Sequence, residues 1–567
     1  MKKIASILLV LMLVLTMAAP ALAEGEPTHT ITITNPKSGH TYSAYQVFQG
    51  DITGGKLTNI DWGTGVNGTA LLTALKELKD SPYADCSTAE DVADVLAGFN
   101  NDSVQLDAFA EVVGKHLVTV AGTSNENKGE TSSTYTINVT GDGYYFVKDT
   151  GTSVADGDAY TKYILHVVGD VEVDAKAEAP TLVKEIVEGS TKVDANNASI
   201  GDKVNYKLTS KVPDMDGYDK YFFIVNDTLS KGLTFNDDVK ITIDGKTLIK
   251  DTDYTVTKGN AVDADNNVTG TSIKIVFKNF IQHKNLKDKA IVITYSATLN
   301  ENAVIGNTGN PNTASLTYSN NPNVENKGQE GNENEPDGET PTGKTPDDTV
   351  ITYVTGIELT KVDEKENRLE GAEFQITGDQ INKVKIIRDT FTVAEDGTYY
   401  KLKDGTYTET APTDETKENY ADENKYKLEK VVTWNTETVK VSATATVGSD
   451  GILRFDGLSA GTYTITEIKA PDGYNMLKDP ITINIKWTAP ADDVTNGNEQ
   501  CRWAIAEGDK SGAGVNEDGI ITLTVENKAG AVLPSTGGMG TTIFYVLGGL
   551  LIVAAGVALI TRRRMSK

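Results

Sequence analysis

The sequence predicts an all-β chain of three immunoglobulin-like β-sandwich domains in tandem, the first with a small helical insertion. Three observations predict it. Short segments of two-residue alternation recur along the 567 residues (THTITIT, KVNYKLTSKV, TYTITEI), and period two marks half-buried strands. Gly, Thr, Asn, Asp and Val are frequent and helix-period segments are few, which is the composition of sandwiches. About 513 residues remain once a leader at the start and a tail at the end are trimmed, more than one core organises, so several domains in series are required.

The leader comes first. Lys2-Lys3, an apolar run from Ile4 to Ala19 and the small-x-small pattern Ala21-Leu22-Ala23 read as a secretory signal peptide over 1–23, with Glu24 as the first mature residue. A first domain over 24–177 places strands at THTITIT, SAYQVF, TYTINV, GYYFVKD and YILHVV, and an inserted helix pair between Ala70 and Asn100. A second domain over 178–356 places strands at TLVKEIV, KVNYKLTSKV, KYFFIVND, VKITID, SIKIVF, AIVITYSATL and TASLTYS. Its segment Ser319 to Asp348 is polar, acidic and rich in Gly and Pro, and reads as a long mobile loop. VITYVTGIELTKV then continues as one extended run, so a third domain over 357–530 opens with almost no linker. The tail 531–567 holds an apolar run at 543–560 before Arg562-Arg563-Arg564. Such a run of roughly 18 residues spans a bilayer as a transmembrane segment, and its basic end stays cytoplasmic.

Charge and composition exclude several functions. The formal net charge is -27, and trimming 1–23 and 537–567 removes six basic residues and no acid, which makes the mature chain -33. Binding nucleic acid or an anionic membrane needs clustered Lys and Arg, so neither is expected as a partner. The five histidines are scattered and no HExxH or GxSxG is present, which argues against a secreted hydrolase. The acidic stretch at 262–270 lacks a downstream Glu at EF-hand spacing and reads as a turn. No metal and no cofactor are expected. Cys86 and Cys501 fall in different domains, so both are expected to be unpaired. Mechanical toughness in this exported chain then needs some other cross-link.

Strand parity supplies one. Residues i, i+2 and i+4 share a face, which puts Lys184 with Leu182 and Ile186, and Lys361 with Ile357 and Leu359, pointing into their cores. Asp227 falls in phase with Phe223 and Val225, and Glu467 with Tyr463 and Ile465. Asn527 is in phase with Leu523 and Val525, and Asn312 with Ala314, Leu316 and Tyr318; Asn320 has the same parity as Asn312 and stays open. One inward polar residue is a strand end lifting its head into water. Two matching Lys, acid and Asn triplets require a chemical reason, because an isolated buried ammonium is too costly to leave unpaired.

Intramolecular isopeptide formation uses these three groups. Burial lowers the pKa of an amine and raises that of a carboxyl, favouring a neutral nucleophile and a proton-carrying acid. The acid, Asp227 or Glu467, polarises the amide and shuttles protons while the amine attacks and ammonia leaves. Proximity supplies most of the acceleration. Turnover is single, so the reaction is maturation and the chain is not an enzyme.

Leu533-Pro534-Ser535-Thr536-Gly537, placed before the apolar run and basic tail, resembles a Gram-positive cell-wall sorting signal. LTKVD, LEGAEFQI, LSAGTYTITEIKAPDGY and LTVENK resemble the collagen-adhesin B-type repeat, and APTLVKEI, NDTLSKGLTF and GNPNTASLTYSNNP the fimbrial isopeptide-forming domain. With HTYSAYQVFQGD, the chain is similar to the sortase-assembled major pilins, the shaft subunits of Gram-positive pili. The resemblance implies cleavage by a sortase between Thr536 and Gly537. It implies bonds from Lys361 to Asn527, assisted by Glu467, and from Lys184 to a late Asn, assisted by Asp227. It also implies identical subunits and peptidoglycan as covalent partners, and leaves room for minor pilins and host surface ligands. An exposed lysine before the second domain attacks the next subunit in this family. The matching residue is Lys176, which alternation places on the outer face with Glu172 and Asp174, although Asp174-Ala175 stands where Tyr-Pro is commoner. A wall-anchored monomeric adhesin is the alternative, sharing everything but the need for Lys176.

Overall fold

The computed structural model describes residues 28–531 and 540–565, apart from 102, 126–133, 152–153, 162–163, 169, 176–178, 379–380, 414–416, 436–441 and 490–501. The signal peptide, Lys176, Cys501 and the motif 533–537 therefore lie outside the described residues. The chain is mostly β and divides into two compact units, the first holding most of the chain up to Tyr353 and the second most of the chain from Val354 onward.

The first unit begins with two facing sheets. Strand Thr28–Thr34 pairs antiparallel with Thr134–Thr140 and parallel with Val171–Asp174. Opposite it, Tyr42–Thr53 lies between Lys56–Trp62 and Gly143–Asp149, with Ile164–Val168 beyond. Alternation decides the core: Ile31, Ile33, Tyr135, Ile137 and Val139 meet Tyr42, Ala44, Tyr145 and Val147. Val171, Val173 and Ala175 pack against this cluster, while Glu172 and Asp174 are exposed, as the parity of GDVEVDA predicts.

The helical insertion has three helices, where the sequence predicts a pair. Gly68–Lys76, Ala89–Ala97 and Val104–Gly114 each start on a side-chain cap, from Asn67, Thr88 and Ser103. Thr88 and Asp91 form a reciprocal capping box. The third helix, VQLDAFAEVVG, escapes a periodicity reading because its apolar residues are spread round the helix instead of forming one stripe. Cys86 is buried and free in the core beneath these helices.

The second sandwich completes the first unit. One sheet contains Val183–Glu188, Lys203–Lys211 and Ala290–Leu299, and the other Val268–Phe277, Phe223–Ser230, Gly306–Ser319 and the start of Asp348–Val362. The segment 319–348 differs from its prediction. Thr342–Lys344 pairs with the end of Gly306–Ser319, and Gly328–Gln329 pairs with Asn332–Pro336. Its polar side chains bond inward: Asn326 donates to the carbonyls of Asn321 and Val324, and the Thr340 hydroxyl to the carbonyl of Lys327. Apolar periodicity does not register order of this kind.

In the second unit, the later part of Asp348–Val362 pairs antiparallel with Ile452–Leu458 and parallel with Ile521–Glu526. A facing sheet runs Ser442–Thr446, Glu373–Gly378, Gly461–Lys469, Ile481–Thr488 and Arg502–Ile505. Helix Gly540–Arg564 includes a stretch, Ile543–Arg564, long and apolar enough to cross a membrane, with a mean hydropathy of 2.6 over its best 18-residue window.

Candidate functional site

Each of the two isopeptide-type triplets is gathered into a buried cluster. In the second sandwich, Lys184 points inward from Val183–Glu188 because its neighbours in phase, Leu182 and Ile186, are buried. Its ammonium donates to Asp227 Oδ2 at 2.6 Å and to the Tyr295 hydroxyl at 2.7 Å. Tyr295 in turn donates to Asp227 Oδ2 at 2.6 Å and accepts from Asn312 Nδ2 at 2.8 Å. Lys184 and Asn312 are both 0 % exposed and Asp227 1 %, so the cluster is closed to bulk solvent. Burial pushes the Lys184 amine pKa down, against the pull of Asp227. The ring of Tyr206 faces the same ammonium at 5.3 Å.

Asn312 and Asn320 are both buried, yet only Asn312 reaches this cluster. Eight residues along an extended chain cover roughly 27 Å, and the carbonyl of Asn320 instead accepts from the Tyr160 backbone. Sequence reasoning misses Tyr295. It is in phase with Ile291 and Ile293, but a tyrosine at such a position reads as core.

In the second unit, Lys361 lies beside the last strand because Asp348–Val362 and Ile521–Glu526 run parallel, with Lys361 opposite Val525. Its ammonium donates to the carbonyls of Val525 at 2.9 Å and Val362 at 3.3 Å. Burial pushes its pKa down to about 8, and Glu467 opposes the fall. Asn527 Nδ2 donates to both Glu467 oxygens, at 2.9 and 3.1 Å, while the Leu477 backbone amide holds Glu467 Oε2 at 2.7 Å. Oδ1 of Asn312 and of Asn527 is buried and accepts no hydrogen bond from the described residues. A buried acceptor left this way costs about 1–3 kcal/mol, and each of these two is the oxygen of a carbonyl that an amine can attack.

The first sandwich has a different buried polar centre, which the sequence does not signal. His40 is 0 % exposed and bonds Asp149 Oδ2 at 2.6 Å through Nδ1 and Asp158 Oδ2 at 3.0 Å through Nε2. Burial works against the imidazolium, but the bonds and charges of the two aspartates outweigh it and raise its pKa to about 9.

Three known families match parts of the chain. Residues 200–322 match the Gram-positive pilin backbone subunit 2, Cna-B-like domain. Residues 409–500 match a prealbumin-like fold domain, and 525–567 the LPXTG cell wall anchor motif. The chain is similar to the trypsin-resistant surface T6 protein of Streptococcus pyogenes serotype M6, 25% identical over 568 residues, covering 95% of this chain and 96% of that one. Among solved structures it is similar to the T6 backbone pilin of serotype M6 Streptococcus pyogenes, with 18% identity, a TM-score of 0.49 and coverage of 90% and 100% of the two chains. The full-length major pilin SpaD of Corynebacterium diphtheriae is another, with 15% identity, a TM-score of 0.45 and coverage of 90% and 100%.

Sandwich domains of these families joined to a wall-anchor motif define the class: a surface protein anchored in the Gram-positive cell wall. Within that class the chain is similar to backbone pilins, the shaft subunits of Gram-positive pili.

Proposed function

We propose that this chain is polymerised into a covalent shaft through Thr536 and Lys176, and that two internal Lys–Asn isopeptide bonds reinforce each subunit. A sortase cleaves between Thr536 and Gly537 and passes the Thr536 carbonyl to the Lys176 amine of the next subunit. The last subunit passes to peptidoglycan. We take 24–177, 178–356 and 357–530 as the three domains.

The observation that carries the reinforcement is the placement of the clusters. Each lysine sits on an early strand of its sandwich and each asparagine on or just after a late one, with the acid bonded to the lysine in the second sandwich and to the asparagine in the second unit. In the reaction the neutral amine attacks the amide carbon, the acid manages the protons, ammonia leaves, and early and late strands become one covalent loop. Pulling force along the shaft then bypasses the hydrogen bonds of each core. The parity that exposes Glu172 and Asp174 also supports Lys176 as the linking amine.

An anti-subunit blot of boiled cell-wall extract tests the polymer. The wild type should give high-mass ladders. Lys176→Arg keeps the charge but lacks the primary amine, and should collapse the ladder to a wall-anchored monomer. Ladders persisting in that variant would move the linkage to another lysine, identified by mass spectrometry of the peptide joined to Thr536.

A further inference from the structure

We propose that Tyr295 is a catalytic residue of bond formation in the second sandwich, its hydroxyl carrying a proton from the attacking Lys184 nitrogen to the departing Asn312 nitrogen. This rests on the reading that Lys184 and Asn312 become joined. One oxygen touches every participant: Lys184 Nζ at 2.7 Å, Asn312 Nδ2 at 2.8 Å and Asp227 Oδ2 at 2.6 Å. A phenol offers one donor and two acceptor positions, and here all three are used. The nucleophile and the leaving group are therefore no further apart than 2.7 plus 2.8 Å, with the hydroxyl between them.

The backbone explains why a bridge is needed. Asp227 pairs with Ala314 across the two strands, which makes Asn312 its diagonal neighbour on the same face. Diagonal neighbours stand about 7–8 Å apart, too far for a short aspartate to meet the amide. In the second unit the longer Glu467 contacts Asn527 directly, with both oxygens. The Tyr295 ring is held in place by Tyr206, at 5.2 Å between centroids, and by the edge of Phe235 at 5.7 Å. Its hydroxyl therefore has little freedom to leave the cluster.

The proton balance closes. Lys184 gives one proton to Asp227, and the neutral amine attacks the Asn312 carbon to form the new C–N bond. The attacking nitrogen, now positive, releases one proton to the Tyr295 oxygen as the Tyr295 proton passes to Nδ2. The C–Nδ2 bond breaks, ammonia leaves, and Tyr295 ends as it began. No oxidant or co-reactant is needed.

The test follows newly synthesised full-length chain by pulse-chase in cell-free translation, digests it, and quantifies the Lys184–Asn312 cross-linked peptide by mass spectrometry. The Lys361–Asn527 peptide of the same molecules is the internal clock. Tyr295→Phe keeps the ring, and should slow the first bond roughly a hundred-fold or more while the second forms at its wild-type rate. Equal rates of the first bond in wild type and Tyr295→Phe would overturn the proposal. Absence of the Lys184–Asn312 peptide from the wild type would instead overturn the underlying reading. Should Tyr295→Phe fail to fold, judged by circular dichroism against Lys184→Met, 3,5-difluorotyrosine at 295 decides. It preserves shape but shifts hydroxyl acidity, so a changed rate supports the proton relay and an unchanged rate overturns it.

Discussion

The clusters of the second sandwich and of the second unit bring together the same functional groups by different routes. Around Lys184 the amine, acid and amide converge on the hydroxyl of Tyr295, and the lysine is ion-paired with Asp227 at 2.6 Å. Around Lys361 the ammonium rests on backbone carbonyls, and Glu467 binds the amide instead of the amine. The first arrangement pairs the charged groups and joins them to the amide through an intermediary hydroxyl. The second leaves the amine on uncharged partners and joins acid to amide directly. The difference teaches that the same Lys, acid and Asn triplet does not by itself specify one hydrogen-bond geometry. That geometry follows from acid length and strand register.

The comparison breaks most decisively by removing one bond at a time. Asn312→Ala and Asn527→Ala should each lie about 17 Da below the variant's own sequence mass, against about 34 Da for wild type, one ammonia lost instead of two, and each should destabilise its own sandwich by about 5 kcal/mol, the chain-entropy value for a closed loop of this length. Calorimetry of the full chain reads both, and loss of both transitions in one variant would contradict their independence. A smaller effect concerns the acids. Asp227→Ala and Glu467→Ala should each abolish only the local bond, seen as one missing cross-linked peptide with the other at full yield.

Lys361 gives a pH signature in the uncross-linked Asn527→Ala variant. Its folded pKa of about 8 lies below the usual lysine value of 10.5, so between those values the unfolded chain binds more protons and stability rises with pH. The gain should be roughly 3 kcal/mol from pH 8 to 10.5, and a flat urea midpoint over that range would refute it. An effect of the opposite sign lies in the first sandwich. His40, facing Asp149, Asp158, Tyr42, Tyr135 and Tyr160, is raised from 6.5 to about 9. Its contribution is complete below pH 6.5 and is lost as pH passes through about 9. Hydrogen exchange of strand Tyr42–Thr53 should therefore quicken over that interval in wild type and change less in His40→Gln.

Much of this is legible from alternation alone. Lys184, Asp227, Lys361, Glu467 and Asn527 stand out because strand parity is a local rule that a polar residue in an apolar phase visibly violates. The uninterrupted strand Asp348–Val362 obeys the same rule. The segment 319–348 reads wrongly as a mobile loop because its order is held by side-chain and backbone hydrogen bonds, which leave no apolar period. Tyr295 and His40 are invisible for a related reason. A tyrosine in phase with isoleucines violates nothing, and a lone histidine gains its meaning only when Asp149 and Asp158 arrive from more than a hundred residues away.

By itself the sequence determined the sandwich class, the anchoring tail and which side chains turn inward, since each depends on neighbours within a few residues. Tertiary structure alone decided which inward groups meet. It separated Asn312 from Asn320 through a contact with Tyr295 on the opposite sheet. It also set Lys361 beside Val525 through a parallel pairing across 164 residues. Distances between strands remote in sequence are fixed by register and sheet packing, and no local pattern encodes them.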